Sequence, residues 1–391
     1  MKIALDIAKA SSLDGLGTWI RELVWALDRL GTDHEWWLTD LLHEDGEGAL
    51  EALGTLGENF RAGACSRELP WGEIDAVLAA SWTLPGPRRS DRTPGAPSPP
   101  VLFVAYDLTV FSHPDCHTLG NRLHVSEGLL RAKHEGSRFL AISRATGREL
   151  ERWLEVPRSS IDVITPGLGR EYARRVPSGT PDRAEETDRE ELFARLRERH
   201  GLPEEARGYV LSVGSLEPRK NLARLLSAHE ALGEETRRAF PLVLAGGASW
   251  RSEKLERRLA DQPEGLVRRL GPVESDELPE LYSAATLFAY PSLAEGFGLP
   301  PLEAMACGAP VMTSDRSSLP EVVGDAALLV DPTEVEAISG ALETLLRDRD
   351  ERQRRRLLGM RRAAAHSWEK AARLTAQSLE RTAQPEHPSP A

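Results

Sequence analysis

Apolar residues recur along this chain in two rhythms. Short continuous runs of strand length alternate with longer stretches in which apolar positions return every three or four residues. Residues 2–7 form the first run, a glycine-containing loop over 11–17 follows, and an amphipathic helix is predicted over 18–30. That is a strand–loop–helix unit. Further strands are predicted at 76–79, 101–106, 138–142 and 161–164. The pattern then restarts. A strand over 209–213 ends at Gly214, a helix covers 222–232, and a strand over 241–245 ends in Gly246-Gly247. A helix over 277–284, strands over 286–290 and 310–313, and helices over 333–346 and 367–382 complete it.

Alternating strands and helices imply a parallel sheet covered on both faces. The chain therefore reads as α/β, with two doubly wound, Rossmann-like halves that share an architecture but no sequence repeat. The expected divisions are an N-terminal domain over 1–176, a polar linker over 177–204, a C-terminal domain over 205–366, a final crossover helix over 367–383 returning to the first domain, and a disordered tail over 384–391. Residues 84–100, rich in Pro, Ser, Gly and Arg, read as a surface loop.

Composition narrows the class. The 391 residues are 40% hydrophobic and 28% charged, ordinary for a globular protein of two domains. The formal net charge of −12 argues against a nucleic-acid or anionic-membrane partner. No apolar run approaches the ~20 residues that span a bilayer, and Asp6 interrupts the N-terminal run too early for a signal peptide. Cys65, Cys116 and Cys307 are odd in number and widely spaced, so neither a disulfide framework nor a zinc site is expected, and the cytoplasm is the simplest compartment.

Three strings carry chemistry. The densest is Pro291-Ser292-Leu293-Ala294-Glu295-Gly296-Phe297-Gly298-Leu299-Pro300-Pro301-Leu302-Glu303, which starts where a strand ends. Ligands bind at that edge of open α/β sheets. Its glycines allow close backbone approach, its prolines suit a first helical turn, and the helix N-terminus favours anionic oxygens. Glu303, about one turn into the helix, is placed to accept two ribose hydroxyls, and Glu295 to accept from a sugar. Taken alone, two glutamates in a chain with 61 acidic residues would be surface. The second string, Gly214-Ser215-Leu216-Glu217-Pro218-Arg219-Lys220-Asn221, also follows a strand. Its adjacent cations can neutralise a diphosphate, or the string is a charged turn with Asn221 as a helix cap. The third, Asp14-Gly15-Leu16-Gly17, lacks the third glycine of a dinucleotide fingerprint, so a Rossmann cofactor is not expected. Asp348-Arg349-Asp350 lies in a charged helical run and reads as solvated surface, and His43, His113 and His124 are isolated.

Together these strings resemble the retaining glycosyltransferase family 4, of the GT-B fold. The resemblance extends over Tyr106-Asp107-Leu108-Thr109, Ala141-Ile142-Ser143-Arg144, Gly271-Pro272-Val273, Leu319-Pro320-Glu321-Val322-Val323-Gly324 and Val330-Asp331-Pro332. It implies two Rossmann-like domains facing across a cleft, with the donor bound by the C-terminal one and the acceptor by the N-terminal one. It implies Arg219 and Lys220 on the diphosphate, Glu303 on the ribose, Glu295 on the donor sugar, and Phe297, Gly298 and Leu299 offering backbone N–H groups. Val273 would lie beside the base, and Gly15 and Gly17 would approach the β-phosphate. Two departures stand out: Ser215 where many members have Arg, and Tyr106 where many have His before Asp107.

The implied reaction is metal-independent transfer of a hexose, mannose first, from GDP-mannose or a UDP-sugar to a saccharide, lipid-linked or small-molecule acceptor in polysaccharide or glycoconjugate assembly. No cofactor is implied. The alternatives are a nucleotide-sugar epimerase or hydrolase on the same fold and a non-catalytic adaptor with a degenerate site.

Overall fold

The computed structural model describes all residues except 13, 41–46, 63–68, 85–97, 174–182, 275 and 385–391. His43, Cys65, nearly all of the loop expected over 84–100, the first part of the expected linker and the tail lie outside the described residues. The chain divides into two compact units, Met1–Gly167 with Ser367–Ala391, and Leu168–His366.

The first unit holds β1 (Lys2–Asp6), α1 (Gly15–Leu30), β2 (Glu35–Thr39), β3 (Phe60–Ala62), β4 (Ala76–Ala79), β5 (Val101–Ala105), α2 (Leu119–His134), β6 (Arg138–Ala141), α3 (Arg144–Leu154) and β7 (Ile161–Val163). Its seven strands run in the order β3-β2-β1-β4-β5-β6-β7, and every pairing is parallel. The central strands are continuously buried because helices cover both faces.

The second unit holds α4 (Arg183–His200), β8 (Val210–Val213), α5 (Leu222–Glu230), β9 (Leu242–Ala245), β10 (Val267–Gly271), α6 (Leu278–Ala284), β11 (Leu287–Tyr290), α7 (Leu299–Ala306), β12 (Val311–Ser314), β13 (Ala327–Val330), α8 (Val335–Arg347) and α9 (Arg349–Ala364). Its six parallel strands run β10-β9-β8-β11-β12-β13. The order reverses direction between β8 and β11, which is where doubly wound sheets open a crevice at their carboxyl ends. A core of Val210, Leu225, Leu242, Leu287, Met312 and Leu342 seals one face of this sheet.

The last helix, α10 (Trp368–Ala383), belongs to the first unit and packs along α1. Close packing at the start of α10 requires glycine at 167: a Cβ there would lie 2.1 Å from the Trp368 nitrogen. The segment read as a polar linker carries α4, an 18-residue helix that packs on α6. Its sequence is strongly polar, yet Leu196 is buried and Phe193 meets Tyr209.

Candidate active site

Two loops leave the carboxyl ends of β8 and β11, side by side. The register pairs Leu287 with Val210 and Phe288 with Leu211, so Tyr290 stands at the level of Val213 and both loops begin together. After β8, Gly214 adopts a φ of 143° and Gly246, after β9, a φ of 144°. A Cβ on Gly246 would lie 2.0 Å from the Gly214 carbonyl oxygen, so this close approach admits only glycine. The β8 loop is then tied to the β11 loop by backbone: Leu293 donates to the Arg219 carbonyl at 2.9 Å.

Asn221 supplies a second tie. It flanks α5 in the left-handed region at φ 59° and makes no side-chain cap bond to the helix. Its amide donates instead to the carbonyls of Pro291 at 2.9 Å and Pro332 at 2.6 Å. The capping role open to it on sequence is therefore replaced by a bridge between loops.

This frame brings Arg219, Lys220 and Glu295 into one ion cluster. Arg219 Nη1 donates to Glu295 Oε2 at 2.5 Å, and Lys220 Nζ to Glu295 Oε1 at 2.9 Å. The same oxygen accepts from Ser292 Oγ at 2.7 Å and Tyr290 Oη at 2.8 Å. Arg219 Nη2 reaches Glu217 at 2.8 Å, and Lys220 Nζ reaches the Tyr290 hydroxyl at 2.5 Å. The side chains of Arg219, Lys220, Glu217 and Glu295 are 14%, 12%, 8% and 9% exposed. Burial on its own would raise the Glu295 pKa; the charges of Arg219 and Lys220 outweigh it and hold the carboxyl well below the usual carboxylate range. Glu295 is thus an anion that accepts hydrogen bonds, not a proton donor.

The backbone around Glu295 is fixed too. Its N–H donates to Ser317 Oγ at 2.8 Å, and Ser318 Oγ donates to the carbonyls of Glu295 at 2.8 Å and Phe297 at 2.6 Å. Gly298 then turns at φ 113°, where a Cβ would meet Leu319 Cδ2 at 2.7 Å. Helix α7 begins at Leu299 with Pro300 and Pro301 in its first turn, as the sequence pattern predicts, and with no side chain capping its N-terminus. Glu303 lies one turn inside. It accepts from Tyr282 Oη at 3.0 Å and is also bonded by Tyr172. Burial, outweighing those hydroxyls and aided by the charge of Glu171, pushes the Glu303 carboxyl up to about 7.

The family model of the glycosyl transferases group 1 matches residues 193–357, which include both loops. The O-antigen chain mannosyltransferase B of Escherichia coli is 35% identical over 270 residues, covering 69% of this chain and 67% of the relative. This chain belongs to the group 1 glycosyltransferases. The serotype-specific mannosyltransferase WbdA of Escherichia coli is 33% identical over 252 residues, 63% of this chain but only 29% of that longer protein. Among solved structures, Anabaena HepE in complex with UDP-glucose superposes with a TM-score of 0.70 at 15% identity, over 97% of this chain and 99% of that one. The fold is GT-B.

Within this glycosyltransferase the remaining candidates fall as follows. Ser215 and Val273 are half-buried, after β8 and β10. Gly15 and Gly17 sit in the first turn of α1, not in a loop ahead of it, because Asp14 caps the helix by accepting from Leu16 and Gly17 N–H at 3.0 Å. A Cβ on Gly17 would lie 1.9 Å from the Ser12 carbonyl oxygen, so that glycine is required by packing. Tyr106 is buried between Trp19 and Trp82, and its hydroxyl donates to the Ala80 carbonyl at 3.0 Å. Asp107 accepts from Thr109 N at 2.9 Å and closes its own loop. Asp348 caps α9 and is exposed, a surface position. Among the described residues no group of His, Cys, Asp and Glu has the arrangement of a metal site, and no helix is long and apolar enough to cross a membrane.

The partners Tyr290, Ser292, Ser317, Glu217, Tyr282 and Tyr172 were not singled out from sequence. Tyr290 and Ser292 had a usable signal, since they flank the β11 exit next to Glu295. Tyr172 and Tyr282 had none, being joined to Glu303 only by the fold.

Proposed function

We propose that this glycosyltransferase transfers a hexose, mannose first, from a nucleoside-diphosphate sugar to an acceptor hydroxyl with retention of anomeric configuration, in polysaccharide or glycoconjugate assembly. The observation that carries the reading is the Arg219–Lys220–Glu295 cluster at the sheet's switch point. The mannosyltransferase relatives support the sugar, and the UDP-glucose complex of HepE supports a nucleotide-sugar donor. GDP-mannose is the first donor to test and UDP-hexoses the second.

In this reading Glu303 accepts from the ribose, the α7 N-terminus faces the diphosphate, and Arg219 and Lys220 stabilise it as it leaves. The bond between the anomeric carbon and the diphosphate oxygen breaks, the acceptor oxygen takes its place, and the acceptor's proton is carried off with the leaving group. Electrostatic stabilisation of the leaving diphosphate and positioning of the sugar supply the rate enhancement. Arg219 and Lys220 do for the diphosphate what a divalent cation does elsewhere.

The test is incubation of the full chain with GDP-mannose or UDP-hexoses, with and without oligosaccharide acceptors and with excess EDTA, followed by NMR of the product anomer. Acceptor-dependent transfer with the donor's configuration, undiminished by EDTA, is the expected result. Conversion of donor without acceptor would make the protein an epimerase or hydrolase instead. Loss of transfer on chelation, restored by Mg²⁺ or Mn²⁺, would overturn the metal-free reading.

A further inference from the structure

Helix α2 is apolar on two sides. Val125, Gly128, Leu129 and Ala132 are buried in the first unit. A Cβ on Gly128 would lie 2.1 Å from the Trp82 carbonyl oxygen, so this contact admits only glycine and fixes which face turns inward. The other side faces outward. Six large hydrophobic side chains are exposed among the described residues, and three are leucines of this helix: Leu119 at 69%, Leu123 at 62% and Leu130 at 51%. With the half-buried Ser126 between them, they recur at spacings of four, three and four residues, in one stripe roughly 16 Å long. Single exposed leucines are ordinary. A stripe of three on one helix face marks an interaction surface.

The spacing is that of a seam along which two helices pack knobs into holes. With Leu123 and Leu130 at the a positions and Leu119 and Ser126 at d, Arg122 takes g and Glu127 takes e. Those two positions carry the charges that choose a partner helix. Arg131 and Lys133 are already committed, to Glu135 at 3.1 Å and Glu155 at 3.8 Å. Arg122 and Glu127 are exposed and, among the described residues, form no ion pair. The helix also stands ready, because Thr118 caps its start by accepting from Asn121 N at 3.2 Å. A short seam between two such folded helices carries no cost of ordering them.

We propose that α2 pairs with α2 of a second copy of this chain, parallel to it about a two-fold axis, through Leu119, Leu123, Ser126 and Leu130. The charges select this occupant. In a parallel pair Arg122 of each copy meets Glu127 of the other, and the symmetry makes the contact twice. An antiparallel pair would set Arg122 against Arg122 and Glu127 against Glu127. An anionic bilayer would gain from Arg122 but not from Glu127, and the whole chain carries a formal charge of −12.

Sedimentation over a concentration series of the full chain tests this. A dimer that forms as concentration rises is expected, and Leu123→Glu should leave a monomer with an unchanged melting temperature, because the site is exposed. Arg122→Glu and Glu127→Arg should each weaken the dimer about tenfold, since each replaces two attractions by two repulsions. An equimolar mixture of those two variants should associate as the wild type does, and so should the double variant. Oxidised Leu123→Cys should cross-link into a dimer that the wild type does not form, because a residues face each other across a parallel seam. A chain that stays monomeric throughout, a dimer indifferent to Leu123→Glu, a mixture that fails to recover, or no cross-link would each overturn the inference. So would a monomer that binds phosphatidylglycerol vesicles and loses them on Leu123→Glu, which would give the leucine stripe to a membrane.

Discussion

Glu295 and Glu303 are both carboxylates of one loop and helix, yet their surroundings push them in opposite directions. Two cations keep Glu295 ionised, whereas Glu303 sits among tyrosines and near Glu171 with its pKa at about 7, against an ordinary 4.5. A raised carboxyl pKa means that the folded protein still holds this proton where the unfolded chain has released it. The site therefore loses stability as pH rises from 4.5 to about 7. A ribose contact needs the ionised acceptor, so nucleoside-diphosphate affinity should be about tenfold weaker at pH 6 than at pH 8. Calorimetry across that range checks this against Glu303→Gln, in which the carboxyl's share of the dependence should vanish. Lys220→Ala removes a partner from a buried cluster whose formal charges, Arg219, Lys220, Glu217 and Glu295, sum to zero. It should lower kcat on the order of 100-fold. It should also cost about 1.5–3 kcal/mol of stability, because a hydrogen bond to a charged group is lost. A turnover within about threefold of wild type would remove Lys220 from the mechanism.

At the scale of elements, the site depends on how closely β8 and its neighbour β9 can be followed by turning backbone. Gly246→Ala would force a Cβ against the Gly214 carbonyl at 2.0 Å, in a conformation at φ 144° that L side chains avoid. Strain of about 1–3 kcal/mol is expected from the backbone alone. The melting temperature should fall by at least ~2 °C, with donor affinity falling alongside it because the Arg219–Lys220 loop is displaced. An unchanged melting curve would show that the two loops adjust freely. The elements were unevenly legible in sequence. Central strands such as β4 and β11 are continuous apolar runs, readable because both faces are buried. Strands β2, β3, β10 and β13 went unread. Strand β3 has three residues, and β10, Val-Arg-Arg-Leu-Gly, is an edge strand with two exposed arginines. Helix α4 was likewise obscured by charge, since its strongly polar sequence carries few apolar positions such as Phe193 and the buried Leu196.

For the molecule as a whole, the sequence carried the two-unit α/β plan, and the family match and the GT-B neighbours agree with it. What it could not carry was tertiary pairing: nothing in the string marks Tyr282 as the partner of Glu303, or Asn221 as the tie between Pro291 and Pro332. The division of the donor between the two glutamates is the claim on which the rest stands. Calorimetric titration of Glu295→Gln and Glu303→Gln with the nucleoside diphosphate, beside steady-state transfer rates, addresses it most directly. Glu303→Gln should weaken nucleoside-diphosphate affinity roughly 10- to 100-fold. Glu295→Gln should leave that affinity unchanged or tighter, since Arg219 and Lys220 lose a competing anion, while kcat falls because the sugar is no longer held as charge develops. Equal losses of nucleotide affinity in both variants would contradict the assignment of one carboxylate to the ribose and the other to the sugar.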